Sequence, residues 1–315
     1  MIKSLMAGKK MSYSTHLKLK PVAPYNLKLN VRMLIGNDPK INGFEKNKFW
    51  QVIRVNHKPI LVIIESTGSV DEPELSVTLK SDTRITDNDK ISAENTIIYM
   101  FNLDFDLEAF YKYIKSDPVL FKITKEFKGL NNLTTVTVFE ALASSIIEQQ
   151  ISFKAAQSIE RHMIRDHGEE LPLDGKVYYA FPTPESLSKL TKEKLRQSGL
   201  SFRKADYIIN ISKLIVADTL NLEKFKKYAD MNAIIEELIQ LRGVGEWTAH
   251  LTVLRSMHHR HQAFPADDLG LQKAISHYYY DDKKIFTDDA RKIANKWSKW
   301  KGLAAYYVLV SYLET

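Results

Sequence analysis

Two short stretches carry the residues best suited to chemistry. One is 241–249, Leu-Arg-Gly-Val-Gly-Glu-Trp-Thr-Ala, and the other is 264–268, Phe-Pro-Ala-Asp-Asp. Gly243 and Gly245 flank Val244 and permit a tight turn with close backbone approach. A helix starting just after them presents unpaired backbone N–H groups, which suit an anion such as a phosphate. Trp247 offers an aromatic plate. Asp267 and Asp268 open a further helix, where either can act as an N-cap. Taken singly, these residues are equally at home in an ordinary αα-hairpin, a packed core and a routine cap. Their conjunction is what argues for chemistry.

The chemistry that fits is cleavage of a glycosidic bond in a nucleotide. A sugar whose bond from C1′ to the base is breaking resembles an oxocarbenium ion, and a fixed carboxylate stabilises that growing charge. The same carboxylate can orient or deprotonate an attacking water. The phosphate would lie on the hairpin, with Val244 and Thr248 beside the glycines.

The elements that must position these residues divide near residue 120. Before it the pattern is strand-like: 27–35, 49–55, 60–64, 75–79 and 96–101. Asn56-His57-Lys58-Pro59 marks a hairpin turn. Asp106 caps a helix that runs to about 115 and stops at Ser116-Asp117-Pro118. After residue 120 the apolar spacing is helical: 138–165, 202–216, 231–241, 247–257, 268–278 and 288–313. Thr183-Pro184 and Thr191 start shorter helices. The fold class is therefore α+β, a small antiparallel β-sheet domain with a helix followed by an all-α domain. The expected boundaries are 1–12 for a flexible basic tail, 13–118 for the β-rich domain and 119–315 for the helical domain. The β-rich part holds no catalytic constellation.

Composition narrows the classes. The chain has 315 residues, 45 basic against 38 acidic, for a formal charge of +7. That balance favours a polyanionic partner without proving one. There is no cysteine, which removes disulfides, catalytic thiols and cysteine-bound clusters. No apolar run approaches the ~20 residues of a membrane helix, so an intracellular protein without membrane association is expected. His258-His259-Arg260-His261 is better read as a solvated loop than as a metal site, because consecutive side chains splay apart. Tyr278-Tyr279-Tyr280 reads as packing.

The order Gly-Val-Gly-Glu-Trp-Thr-Ala, then Pro-Ala-Asp-Asp-Leu-Gly-Leu, resembles the helix-hairpin-helix DNA glycosylases, and most closely the AlkA-type 3-methyladenine glycosylases. Ser145-Ile146-Ile147-Glu148-Gln149-Gln150-Ile151-Ser152, Phe181-Pro182-Thr183-Pro184, Phe202-Arg203-Lys204-Ala205 and Trp297-Ser298-Lys299-Trp300 fall in the same order as the family's signatures. The resemblance covers roughly 120–315.

It implies a monomeric enzyme of base excision repair that acts on double-stranded DNA, flips an alkylated purine out of the duplex and hydrolyses its bond to the sugar. Asp268 matches the catalytic aspartate, which leaves Asp267 as a cap or loop support. Trp247, Leu251 and Leu309 fall in the base pocket. Leu251 stands where AlkA-type enzymes carry a tyrosine and Leu309 near their tryptophan, departures that bear on lesion range. Gln150 falls at the wedge that fills the gap left by the flipped nucleotide, while Gln149 lines an interface. The bifunctional branch has a lysine where this chain has Trp247, so an intact abasic product is expected. Lys204 and Arg203 are expected at phosphate or solvent. No cofactor is required, although carbonyls of Ile239, Leu241 and Val244 can hold a monovalent cation at the hairpin. The alternatives are a non-catalytic module of the same fold that binds damaged DNA, and a glycosylase for oxidised purines.

Overall fold

The computed structural model describes residues 12–314, the side chains of His259 and Arg260 excepted. The expected tail therefore lies almost wholly outside the described residues. The chain begins with β1 (Tyr13–Leu19), α1 (Leu27–Val31), β2 (Asn42–Glu45), β3 (Lys48–Val55), β4 (Lys58–Ser66) and β5 (Leu75–Ser81). The five strands form one antiparallel sheet in the order β1-β5-β4-β3-β2. Asn56 and His57 turn β3 into β4 with φ of 47° and 65°, the positive pair that a two-residue hairpin demands. Strict alternation in β5 buries Leu75, Val77 and Leu79.

Helix α2 (Asp87–Phe101) covers one face of this sheet, placing Ala93, Ile97 and Met100 against Phe49, Ile60 and Val77. Two expectations fail here. Residues 27–31 are helical, capped by the Asn26 side chain. Residues 96–101 are the last turns of α2, whose start is set by a reciprocal Thr86–Asp89 capping box. A local cap outweighed a short run of β-formers.

Next come α3 (Glu108–Tyr113), α4 (Pro118–Glu126), α5 (Val138–Glu148) and α6 (Phe153–His167). A hairpin of β6 (Glu170–Leu173) and β7 (Lys176–Tyr179) then packs Leu171 and Leu173 on Val52 and Leu61, the other face of the first sheet. The remaining elements are α7 (Pro184–Leu187), α8 (Lys192–Arg196), α9 (Phe202–Val216), α10 (Met231–Leu238), α11 (Glu246–Ser256), α12 (Leu269–Tyr279), α13 (Thr287–Trp297) and α14 (Lys301–Glu314). The α+β class expected from sequence is the class observed.

The helices build two cores. One joins α5–α11 around Leu142, Ile146, Ile208, Leu238 and Val253. The other joins α3, α4 and α12–α14 around Phe110, Leu120, Ile275, Trp297 and Tyr307. Elements on either side of residue 118 thus share one core. Two long helices read from sequence are each broken: 138–165 at Gln149–Ser152, and 288–313 at Ser298–Trp300. The first break places Gln150 at φ +57° and leaves Ile151 39% exposed instead of in the core.

Candidate active site

A cavity of about 1240 Å³ opens where the two helical cores and the β-rich part meet. Trp247, Leu251, Asp268, Leu309 and Gln150 all line it. Trp247, Leu251 and Arg255 recur at four-residue spacing, which places them on one face of α11. The cavity also takes in Met33, Leu34 and Asn42 from the β-rich part, where sequence offered no site. No chemical motif marks those residues, and they reach the cavity only through packing.

Asp268 is held at both oxygens. It is the N-cap of α12, where the Leu271 N–H donates to Oδ1 at 2.7 Å. The indole N–H of Trp247 donates to Oδ2 at 2.9 Å. This second bond crosses between the cores, because Trp247 sits on α11 and Asp268 on α12. The capping role expected of Asp267 therefore belongs to Asp268, and Asp267 stands exposed at the cavity mouth. Leu269, two residues on, is 73% exposed at the same mouth. An apolar side chain at the first position of a helix, off the core-facing period, was the sequence signal for it.

In the hairpin only Gly243 needs glycine's freedom. Its φ is +89°, and a Cβ there would fall 2.2 Å from the Tyr207 ring. Gly245 has ordinary φ and open space beside it. Gly245 is also the N-cap of α11 and offers no side-chain cap, so the first-turn amides are left for an anion. Val244 is buried, so it can meet a phosphate only through its backbone. Thr248 differs from expectation in the same way. It is 2% exposed, and its hydroxyl accepts a bond from the Gln149 amide at 2.9 Å.

Lys204 departs from expectation too. Instead of reaching solvent it is half-buried and donates to the carbonyls of Ile147 at 2.8 Å and Gln149 at 2.6 Å. Burial pushes its pKa below the usual lysine range, with Glu148 opposing. Arg203 is exposed, as expected.

Deeper in the cavity Arg255 pairs with Glu148 at 2.7 Å. Burial works against its charge, and Glu148 more than restores it. Burial and then Glu160 raise the Glu140 carboxyl to about 8. Burial raises Glu160 as well, against the Ser144 hydroxyl that donates to it. The segment 258–261 is a 3₁₀ turn in which His258 stays exposed while stacking on Tyr99 at 4.2 Å, and the part-buried His261 tilts against Trp300. Tyr278 and Tyr279 pack against the second core.

Among the described residues no histidine or carboxylate cluster could hold a metal. The carbonyls of Ile239, Leu241 and Val244 remain as neutral oxygen donors, which suit a monovalent cation better than a transition metal. Ile239 and Leu241 lie beyond the end of α10, and the Leu241 carbonyl accepts one N–H, from Val244 at 3.0 Å. No described helix is long and apolar enough to cross a membrane.

Comparison with known proteins gives the family and the fold. Residues 143–301 match the family model described as HhH-GPD superfamily base excision DNA repair protein. A relative named DNA-3-methyladenine glycosylase, from Bacillus subtilis, is 30% identical over 84% of this chain and 86% of its own length. The solved 3-methyladenine DNA glycosylase of Archaeoglobus fulgidus superposes with a TM-score of 0.81 at 25% identity, over 94% of this chain and 98% of that one. An 8-oxoguanine glycosylase/lyase from Clostridium acetobutylicum, solved with double-stranded DNA, gives a TM-score of 0.75 at 24% identity over 96% and 98% of the two chains, a likeness of fold. The chain belongs to the HhH-GPD superfamily of base excision DNA repair proteins.

Proposed function

We propose that this DNA glycosylase releases alkylated purines from double-stranded DNA and leaves an intact abasic site. The observation that carries the reading is the Asp268 carboxylate, aimed by Leu271 and Trp247 at the mouth of a cavity wide enough for a nucleobase. The duplex backbone docks on the amides that open α11. The damaged nucleotide swings into the cavity, its base against the Trp247 ring and between Leu251 and Leu309, while Gln150 enters the gap. The bond from C1′ to the base nitrogen breaks, and its electron pair leaves with the base. Asp268 faces the positive sugar that forms. Water adds to C1′ and passes a proton to Asp268.

No lysine is among the cavity-lining residues described, and Lys204 is engaged with backbone carbonyls. Both facts support hydrolysis without a Schiff base. Carbonyls of Ile239, Leu241 and Val244 would hold a monovalent cation, which would add positive charge beside the docked phosphate. The protein acts as a monomer on this reading.

The test uses duplexes carrying 3-methyladenine-like, hypoxanthine, ethenoadenine or 8-oxoguanine lesions, with the Asp268→Asn variant alongside. Base release from the alkylated lesions, lost in the variant and without a borohydride-trapped adduct, is the expected result. A trapped adduct would overturn the hydrolytic step. Release from 8-oxoguanine alone would overturn the substrate class, and tight binding without any release would leave a binding module.

A further inference from the structure

The helix break at Gln149–Ser152 has no glycine or proline to cause it. Carbonyls at a helix end need new partners, and those at the end of α5 find one in Lys204. Its ammonium reaches the carbonyls of both Ile147 and Gln149. Lys204 sits in the first turn of α9, where the helix dipole disfavours a cation, and it is half-buried as well. Neither condition suits an ordinary surface lysine.

The same junction is tied to the hairpin. The Gln149 side-chain amide donates to the Gly243 carbonyl and to the Thr248 hydroxyl, both at 2.9 Å. Helix α9 braces the hairpin independently, through Tyr207 against Gly243 and an Asp206–Arg242 ion pair at 3.0 Å. One helix thus fixes both the segment that carries Gln150 and the segment that grips phosphate. Gln150 itself is exposed in the left-handed conformation that non-glycine residues rarely adopt. It needs surroundings that hold it there.

We propose that Lys204, acting with Gln149, is a positioning residue for nucleotide extrusion: it holds Gln150 at a fixed place relative to the phosphate-gripping hairpin, so that docking of the backbone drives Gln150 into the duplex. The proposal rests on the reading of the chain as a base-extruding glycosylase. A lysine that merely met phosphate would act differently, since its loss would weaken binding to every duplex and reduce the salt dependence.

The experiment compares Lys204→Met, Lys204→Arg and Gln149→Ala with the unaltered protein. Single-turnover release of ethenoadenine is measured from a fully paired duplex and from a duplex where the lesion sits unpaired in a bulge and needs little unstacking. A 2-aminopurine beside the lesion reports extrusion by fluorescence, and melting curves check the fold. Lys204→Met is expected to slow extrusion and release from the paired duplex by about ten- to a hundredfold, the loss of charge-assisted bonds. Release from the bulge and the salt slope of binding stay the same, and Lys204→Arg recovers most of the rate. Gln149→Ala gives the same paired-selective loss and stands in if Lys204→Met does not fold. Equal loss on both substrates, no loss on either, or a reduced salt slope overturns the proposal. Absence of release by the unaltered protein from both substrates would instead overturn the glycosylase reading.

Discussion

Replacing Trp247 with phenylalanine removes the indole N–H that holds Oδ2 of Asp268 and keeps an aromatic face toward the cavity. The carboxylate then retains one anchor, the Leu271 N–H at 2.7 Å, and can turn about that bond. A hydrogen bond to a charged group contributes about 1.5–3 kcal/mol. If that contribution serves to aim the carboxylate at the sugar, its loss slows the chemical step by about 10- to 150-fold. The assay is single-turnover base release at saturating enzyme, with affinity for an abasic-analogue duplex measured in parallel. The rate constant should fall by that factor while affinity stays within about twofold, since the ring survives and the phosphate contacts supply most of the binding. Trp247→Ala should lose affinity as well as rate. An unchanged rate in Trp247→Phe would show that the cap bond alone aims Asp268, and would refute the role given to the indole N–H.

Gly243→Ala should destabilise the protein by about 2 kcal/mol or more, read from urea melts, because it combines a positive φ with a Cβ 2.2 Å from the Tyr207 ring. Gly245→Ala, with open space beside it, should fold normally yet bind duplex DNA more weakly if a phosphate approaches that amide. Gln150→Gly should relieve left-handed strain, with stability equal or higher by up to about 1 kcal/mol, while release from paired duplexes falls. Glu140 makes stability depend on pH. Its native carboxyl is raised to about 8 from 4.5, so from about pH 4.5 upward the unfolded chain releases a proton that the folded chain keeps. Stability is complete below that window and declines as pH rises toward about 8. Glu140→Gln should lessen the fall in melting temperature between about pH 5 and 9, leaving the part that the raised Glu160 carboxyl contributes, and an unaltered slope would count against the buried acid.

Legibility tracked how local the cause was. Asn56-His57 between β3 and β4 was readable because the turn carries its own chemistry, and so was Thr183-Pro184. Asp174-Gly175 carries the same kind of hairpin signal between β6 and β7, yet the flanking strands are only four residues each and were missed. Residues 27–31 were read as strand on partial apolar alternation and 96–101 on β-forming side chains, while Asn26 and the Thr86–Asp89 box made them helices. The break after Glu148 had one local cue, Ser152, which caps the next helix by accepting the Ala155 N–H. The carbonyls of Ile147 and Gln149 that the break frees are satisfied by Lys204, more than fifty residues away.

The sequence by itself determined which groups exist and at what spacing: the two glycines, Trp247, the aspartate pair, the glutamines and the absence of a lysine at the hairpin. These are properties of a short window, and they were enough to place the chain among base excision glycosylases. Only the tertiary structure decided that Asp268 and not Asp267 is the cap, that Trp247 donates to it, that Thr248 turns inward, and that Lys204 holds the segment carrying Gln150. Trp247 and Asp268 are 21 residues apart and belong to elements packed in separate cores. Whether they meet depends on how the two cores settle against each other. That arrangement is the sum of many weak contacts between distant residues, and no single stretch of the chain encodes it.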